Sequence, residues 1–266
     1  MRVIVLSSGG KDSCYAVWWS LLKGWDIAGI VTIDITGDDS YTFQLPSTFI
    51  ASFQATAAGI PWFSIPISGN EQTEMNELTD GISKLLEGPI AKHEDNTSQF
   101  QENPEFPSNL SHQKFSHNLT PPKIVVSESI DPIDGLVTGA LRSDYQKTRI
   151  EKMAEDLGIK SFSPLWHHDP KQHMEDLVHH GFEFILSSVS CDGLGENWIG
   201  RRIDRNSLKE LQSLSVKHRF SIDGEGGEFE TCVLNAPWMQ KSIKLTTENV
   251  WLGSRGHLEI LDVELD

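Results

Sequence analysis

Arg2-Val3-Ile4-Val5-Leu6-Ser7-Ser8-Gly9-Gly10-Lys11-Asp12-Ser13 is the stretch on which the fold turns. Arg2 to Leu6 is a short apolar, β-branched run, read as a buried strand that stops at once in a glycine-rich turn. Ser13 to Lys23 then reads as a helix, and Gly24 stops it. Strand, glycine turn and helix in that order open a parallel α/β unit. Gly9 and Gly10 let the backbone come close to an anion, and the helix start offers unpaired N–H groups with a favourable dipole. Ser7, Ser8 and Ser13 add hydroxyl donors and Lys11 a point charge. Asp12 alone would repel a phosphate, so its presence implies a Mg²⁺ between the two. An ordinary glycine turn with a serine cap is the competing reading. A lysine, an aspartate and three serines directly after the first strand weigh against it.

The alternation continues outward from this unit. Ile27 to Ile33 reads as a second strand, Ser47 as the N-cap of a helix to about Ala58, and Trp62 to Ile67 as a third strand. Glu71 to Glu87 is an acidic amphipathic helix. From about 88 to 132 the chain is polar, proline-bearing and aperiodic, as expected of an insertion or long loop in which Ile124-Val125-Val126 could pair at a sheet edge. Gly135 to Thr138 resumes as a strand, Ser143 to Leu157 as a helix, and a short strand follows near Ser161. A helix from about Pro170 to His180 and a buried strand from Phe182 to Val189 come next. After a helix from Leu208 come strand-like runs near 229–234, 242–247 and 257–263. The expected architecture is a parallel sheet with helices on both faces in residues 1–165, carrying the insertion, followed by a smaller α+β domain in 166–266.

Composition narrows the function classes. The 266 residues hold 38 % hydrophobic and 23 % charged side chains, ordinary for a globular chain with a core. No apolar run approaches the roughly 20 residues needed to span a bilayer, and no basic-then-apolar signal opens the chain, so cytoplasm is the expected compartment. Cys14, Cys191 and Cys232 form no Cys-x-x-Cys pair, which argues against a disulfide framework or a zinc site of ordinary spacing. A net charge of −16 repels phosphate backbones and disfavours nucleic acid as a partner. The histidine pairs His167-His168 and His179-His180 lack a third ligand at helical spacing, and a helix-capping role suits them better than a metal.

The turn is not of the Gly-x-x-x-x-Gly-Lys-Ser/Thr kind. Ser8-Gly9-Gly10-Lys11-Asp12-Ser13 instead resembles the pyrophosphate loop (PP-loop) of the ATP pyrophosphatase superfamily, whose nucleotide domain has the adenine-nucleotide-hydrolase-like (HUP) α/β fold. That resemblance implies ATP, a grip on its β and γ phosphates, attack of a substrate oxygen on the α phosphate, and capture of the adenylate by a nucleophile. Later blocks narrow it. Ser40-Tyr41-Thr42-Phe43, the run from Gly139 to Arg149, Pro164-Leu165-Trp166, Gly200 to Asp204 and Gly224-Glu225-Gly226-Gly227-Glu228-Phe229-Glu230-Thr231 together resemble the diphthine–ammonia ligase family. Gln44 stands where that resemblance expects a histidine, and the long polar insertion is a second departure. The family's activity implies ATP and Mg²⁺ as cofactors, free ammonium as nitrogen donor, and diphthine on translation elongation factor 2 as acceptor. The chain opens directly on the nucleotide strand, so no ammonia-generating domain is expected.

On this basis Lys11, Asp12, Arg149 and Glu228 are the expected catalytic residues, with Asp12 the metal ligand. Ser7, Ser8, Gly9, Gly10, Lys11, Ser13, Gly139, Ser143 and Gln146 are expected to bind the nucleotide. Glu225, Gly227, Glu228 and Trp166 are expected to bind the acceptor, with Trp166, Trp198 and Trp238 available as a cage for a quaternary ammonium. Ser143, Gln146 and Arg149 share one helix face, although a salt-bridged solvent face is the plainer reading of that helix and applies above all to Arg142. A solvated glycine-rich hairpin is likewise the rival reading of the 224–228 segment. Two alternatives from other classes stand beside the ligase: a PP-loop tRNA-modifying enzyme, and a non-catalytic ATP-binding sensor. Sequence leaves open the identity of the acceptor, the role of the insertion, the choice between Glu225 and Glu228, and whether the chain forms a homodimer.

Overall fold

The computed structural model describes residues 1–35, 49–70, 73–87 and 132–266. The Ser40–Phe43 block, Gln44, the Ser47 cap, Ile124 to Val126 and all but the last residue of the 88–132 insertion lie outside the described residues. Five strands form the first sheet: β1 (Arg2–Leu6), β2 (Asp26–Ile35), β3 (Trp62–Ile67), β4 (Gly135–Thr138) and β5 (Lys160–Phe162). Their spatial order is β3-β2-β1-β4-β5 and every pairing is parallel. The order reverses direction between β1 and β4, the crevice where open α/β sheets bind ligands at the carboxyl ends of their strands.

Alternation along β1 explains the layers. Val3 and Val5 pack with Ala16 and Val17 of α1 (Lys11–Leu22) and Ala55 of α2 (Ile50–Ala58). Ile4 and Leu6 face the other way, onto Leu78 and Ile82 of α3 (Glu74–Glu87) and Met153 of α4 (Asp144–Asp156). Successive strand residues point to opposite faces, so one apolar strand buried on both sides draws helices onto both. Helix α2 begins at Ile50 and ends on Gly59 in the left-handed region, as the glycine stop signal implies.

The second half adds α5 (Pro170–His179), α6 (Arg205–His218) and an antiparallel sheet of β6 (Glu183–Val189), β7 (Phe229–Asn235), β8 (Ile243–Trp251) and β9 (Gly256–Leu265) in the order β7-β6-β9-β8. Helices α5 and α6 start on Asp169 and Asp204, whose carboxylates accept backbone N–H groups of the first turn. The first sheet ends at Phe162 and α5 begins at Pro170, but the hydrophobic core does not stop between them. Cys14, Ile50 and Phe53 of the first half belong to the same buried cluster as Phe184, Trp198, Leu211 and Val233 of the second. The second sheet therefore packs on the α1 and α2 side of the first.

Candidate active site

A cavity of about 710 Å³ opens at the carboxyl ends of β1, β2, β3 and β4. Its wall carries Ser7, Ser8, Asp12 and Ser13 from the glycine-rich turn, Gly139, Ser143, Gln146 and Arg149 from β4 and α4, and Glu225 from the second half. Val31, Ile33, Ile35, Ile67, Met75 and Leu78 form its apolar side, on the face covered by α3 and α4. The cavity is therefore polar at the glycine-rich turn and apolar along the opposite wall.

The turn is held rigid from within. Ser7 Oγ donates to Ser13 Oγ at 3.0 Å and accepts the Gly9 N–H at 3.2 Å, and Ser13 Oγ also lies 3.0 Å from the Gly10 carbonyl. These two hydroxyls therefore shape the loop, while exposed Ser8 faces the cavity. Gly9 has φ +83°, in the left-handed region that glycine enters without strain. Gly139 is required by contact: a Cβ there would lie 2.6 Å from the Asp12 carbonyl carbon and 2.6 Å from the Ser13 nitrogen. Helix α1 has no side-chain cap from Gly10, which leaves its start open to an anion, except that Thr231 Oγ1 of β7 accepts the Lys11 N–H at 3.1 Å.

The second half grips the same loop. The Val233 N–H donates to the Gly9 carbonyl at 3.1 Å. Gln54, fully buried on α2, donates through Nε2 to the carbonyls of Gly9 (2.9 Å) and Val233 (2.8 Å) and accepts from Cys14 Sγ (3.3 Å). Gln54 and Thr231 are thus structural members of the site that their spacing from the loop could not reveal.

Charge is concentrated where the halves meet. Lys11 is 5 % exposed, lies behind the cavity wall and places Nζ 2.9 Å from Asp12 Oδ2. His173 of α5, also unforeseen, brings Nε2 to 2.7 Å from Asp12 Oδ1. Burial pushes the Asp12 carboxyl up, but the Lys11 ammonium and the His173 contact outweigh it and hold Asp12 below the ordinary carboxylate range. Arg142 is ion-paired with fully buried Asp223, donates to the His168 carbonyl at 3.1 Å, and its N–H reaches Glu225 Oε1 at 3.1 Å. Burial raises Asp223 in the same way, yet Ser221, Arg142 and Lys11 bring it below its usual value. Glu225 goes the other way: loss of solvent, with Asp12 and Asp223 nearby, lifts it above the normal glutamate range.

Several expected residues make further contacts, and some lie away from the cavity. Arg149 lines the cavity, but its guanidinium is 2.9 Å from Glu74 and lies over the Tyr145 ring. Ser143 lines the wall and also caps α4, accepting the Gln146 N–H at 3.3 Å. Glu228 turns into its own hairpin, where Oε1 accepts the Ser221 N–H at 2.8 Å, and Gly227 accepts from Ser190 Oγ at 2.5 Å. Trp166 lies beneath Lys147 Nζ, Trp198 is core, and Trp238 donates to the Cys14 carbonyl at 3.1 Å; none of the three lines the cavity. His180 accepts the capping reading, with Nδ1 2.7 Å from the Asp176 carbonyl. Arg142, read as a surface group, instead anchors the 223–225 segment to the β4–α4 loop.

Comparison with known proteins bears on the same two halves. Residues 1–96 match the family model described as diphthamide synthase N-terminal domain, and residues 169–265 match the diphthamide synthase C-terminal domain. A diphthine–ammonia ligase of Schizosaccharomyces pombe is 27 % identical over 99 % of this chain and 39 % of its own length. Those of Danio rerio (28 % identical) and Homo sapiens (24 %) align with 94 % and 100 % of this chain and with 89 % and 93 % of their own. The chain therefore spans well under half of the fission yeast relative and nearly all of the two vertebrate ones. A solved structure from Methanocaldococcus jannaschii, described as a predicted subunit of tRNA methyltransferase, superposes at a TM-score of 0.35 with 18 % identity over 89 % of this chain and 99 % of its own, too distant to inform function. With the pyrophosphate-loop turn, the cavity and both matched halves in place, the chain belongs to the diphthine–ammonia ligase family of diphthamide synthesis.

Proposed function

We propose that the chain is an ATP-dependent, AMP-forming ligase that amidates the carboxylate of diphthine on translation elongation factor 2 with ammonium. The observation that carries this reading is the junction at the cavity rim, where Asp12 of the phosphate-binding turn and Glu225 of the second half line one space. A triphosphate fits the turn and the open start of α1, and the nucleoside fits the apolar wall. The acceptor carboxylate would attack the α phosphate, expelling pyrophosphate and forming an acyl adenylate. Ammonium must lose a proton to become a nucleophile, and Glu225, whose proton affinity is raised, would take it. Ammonia would then displace AMP to leave the amide.

Asp12 suits a Mg²⁺ that travels with the nucleotide. Each of its oxygens accepts one N–H donor and keeps a lone pair, the side chain is part-exposed, and the residue lines the cavity. Among the described residues no group of three or more His, Cys, Asp or Glu converges. One carboxylate plus phosphates and water is an ordinary Mg²⁺ environment. When bound, the ion would neutralise charge on the departing pyrophosphate.

The other classes are supported less well. Burial raises the Cys191 thiol to about 11 and Cys232 to about 12, and raises Cys14 too, so none is a ready thiolate for sulfur transfer to RNA. A pure ATP sensor has no use for the Arg142–Asp223–Glu225 anchoring that holds a carboxylate at the rim. Among the described residues no helix is long and apolar enough to cross a membrane. The proposal is tested by incubating the protein with α-labelled ATP, ammonium and diphthine-bearing elongation factor. Labelled AMP that requires the acceptor supports it; labelled ADP, or AMP release indifferent to acceptor, sinks it.

A further inference from the structure

His173 is buried and ionisable, and the ligase reaction described above makes no use of it. It has no exposed surface, yet its Nε2 sits 2.7 Å from Asp12 Oδ1 across 161 residues of sequence. Its Nδ1 is buried without a hydrogen-bond partner among the described residues. The ring is otherwise in aromatic company, edge-on to Tyr15 at 5.3 Å between centroids and beside His168 at 5.8 Å. An unpartnered buried nitrogen lowers stability, so packing alone would favour phenylalanine or leucine at this position. What the imidazole supplies is its other nitrogen, and that nitrogen is committed to Asp12.

Asp12 is pinned from two directions. Lys11 Nζ holds Oδ2, but Lys11 is its neighbour in the same turn and moves with it. His173 holds Oδ1 from α5, an element of the second half packed into the shared core through Met174 and Leu177. The angle of the carboxylate relative to the cavity is therefore set by α5 and not by the loop alone. We propose that His173 is a positioning residue for the nucleotide's Mg²⁺: by fixing the Asp12 rotamer, it keeps the remaining lone pairs turned into the cavity. The inference rests on reading the cavity as a MgATP site. Partners that orient a metal-binding carboxylate typically change metal affinity by about 10- to 100-fold when removed.

Calorimetric titration of the full chain with a non-hydrolysable ATP analogue, with Mg²⁺ and with chelator, separates positioning from packing. His173→Phe keeps a ring and removes the donor. It should stay folded, bind the metal-free analogue within about twofold of wild type, and lose about tenfold or more of the tightening that Mg²⁺ gives. His173→Gln, whose amide can donate to Asp12, should recover most of that tightening. A Phe variant with full Mg²⁺ enhancement overturns the proposal, as does a stably folded Gln variant with none. The Gln comparison decides the matter if the Phe variant does not fold. Wild-type protein that fails to bind the analogue at all would instead remove the MgATP reading, and this proposal with it.

Discussion

The Val233 amide donates to the Gly9 carbonyl at 3.1 Å, so the edge strand of the second sheet is hydrogen-bonded to the glycine-rich turn of the first. Gln54 spans the same two residues and makes the junction three-way. The loop's conformation is thus a property of both halves together.

Replacing Gln54 with leucine removes donors from two buried carbonyls. The Gly9 carbonyl keeps the Val233 N–H, so the loss falls mainly on the Val233 carbonyl. A buried acceptor that loses its donor costs about 1–3 kcal/mol, and the loss of the clamp should also loosen the turn. Urea unfolding of Gln54→Leu is expected to give a stability lower by about 1 kcal/mol or more, with weaker ATP binding. A variant of wild-type stability would mean that the clamp contributes nothing.

Gly139→Ala places a methyl group 2.6 Å from the backbone of Asp12 and Ser13. Backbone cannot rotate away as a side chain can, so the turn itself must shift. A displacement on the order of 1 Å at a binding loop can cost about 100-fold in rate. AMP formation should fall by that order while circular dichroism stays native; unchanged turnover would show that the close approach is not needed.

Lys11→Ala and Asp12→Ala should each reduce AMP formation by about 100-fold or more, roughly 3 kcal/mol of transition-state stabilisation. Lys11 sits behind the wall and pairs with Asp12, so the two losses should be far from additive in the double variant. Rates measured for the singles and the double test this, and additive losses would mean that the residues act separately.

The two glutamates of the glycine-rich segment should part company. Glu225→Gln, at the cavity rim, is expected to leave ATP affinity near wild type and cut acceptor- and ammonium-dependent AMP release by about 100-fold. Glu228→Gln, turned toward the Ser221 N–H, should act on the hairpin's stability more than on the ammonium step. Steady-state kinetics at varied ammonium distinguish them, and the reverse pattern would move the acceptor site to Glu228.

Asp34 offers a pH test of the fold. Burial pushes its carboxyl up to about 6 from an ordinary 3.8. A raised folded value means that the native state holds the proton more tightly than the unfolded chain. The associated stability is full below about pH 4 and is lost as pH rises through 6, leaving a deficit of up to ~3 kcal/mol near neutrality. Asp34→Asn should therefore stabilise the protein near pH 7, with the gain gone near pH 4, as read by denaturant unfolding. An equal gain at both pH values would contradict the assignment.

Much of this was legible in the chain itself. The turn from Ser7 to Ser13 is local, with its strand, glycines and helix adjacent in sequence, so composition and order sufficed. The parallel sheet followed from β-branched runs alternating with helical periods. What escaped was long-range. His173 and Gln54 lie 161 and 45 residues from their partners in the turn, and a lone histidine or glutamine on a helix face carries no sign of what it will meet. Glu225 and Glu228 are three residues apart in a glycine-rich run, where no period fixes direction, so only the fold could say which faces the cavity. Spacing was equally silent on the tryptophans: Trp198 is drawn into the core by the area it buries, and neither part-buried Trp166 nor part-buried Trp238 lines this cavity.

In the proposed reaction one cavity joins ATP cleavage to amide formation. The most direct measurement supplies ¹⁵N-ammonium, ATP and diphthine-bearing elongation factor 2 to the full chain, and follows ¹⁵N in the acceptor alongside AMP. One labelled amide per AMP formed is expected, and neither product when ammonium or acceptor is withheld. AMP without ¹⁵N in the acceptor, or ¹⁵N incorporation without ATP cleavage to AMP, would contradict it.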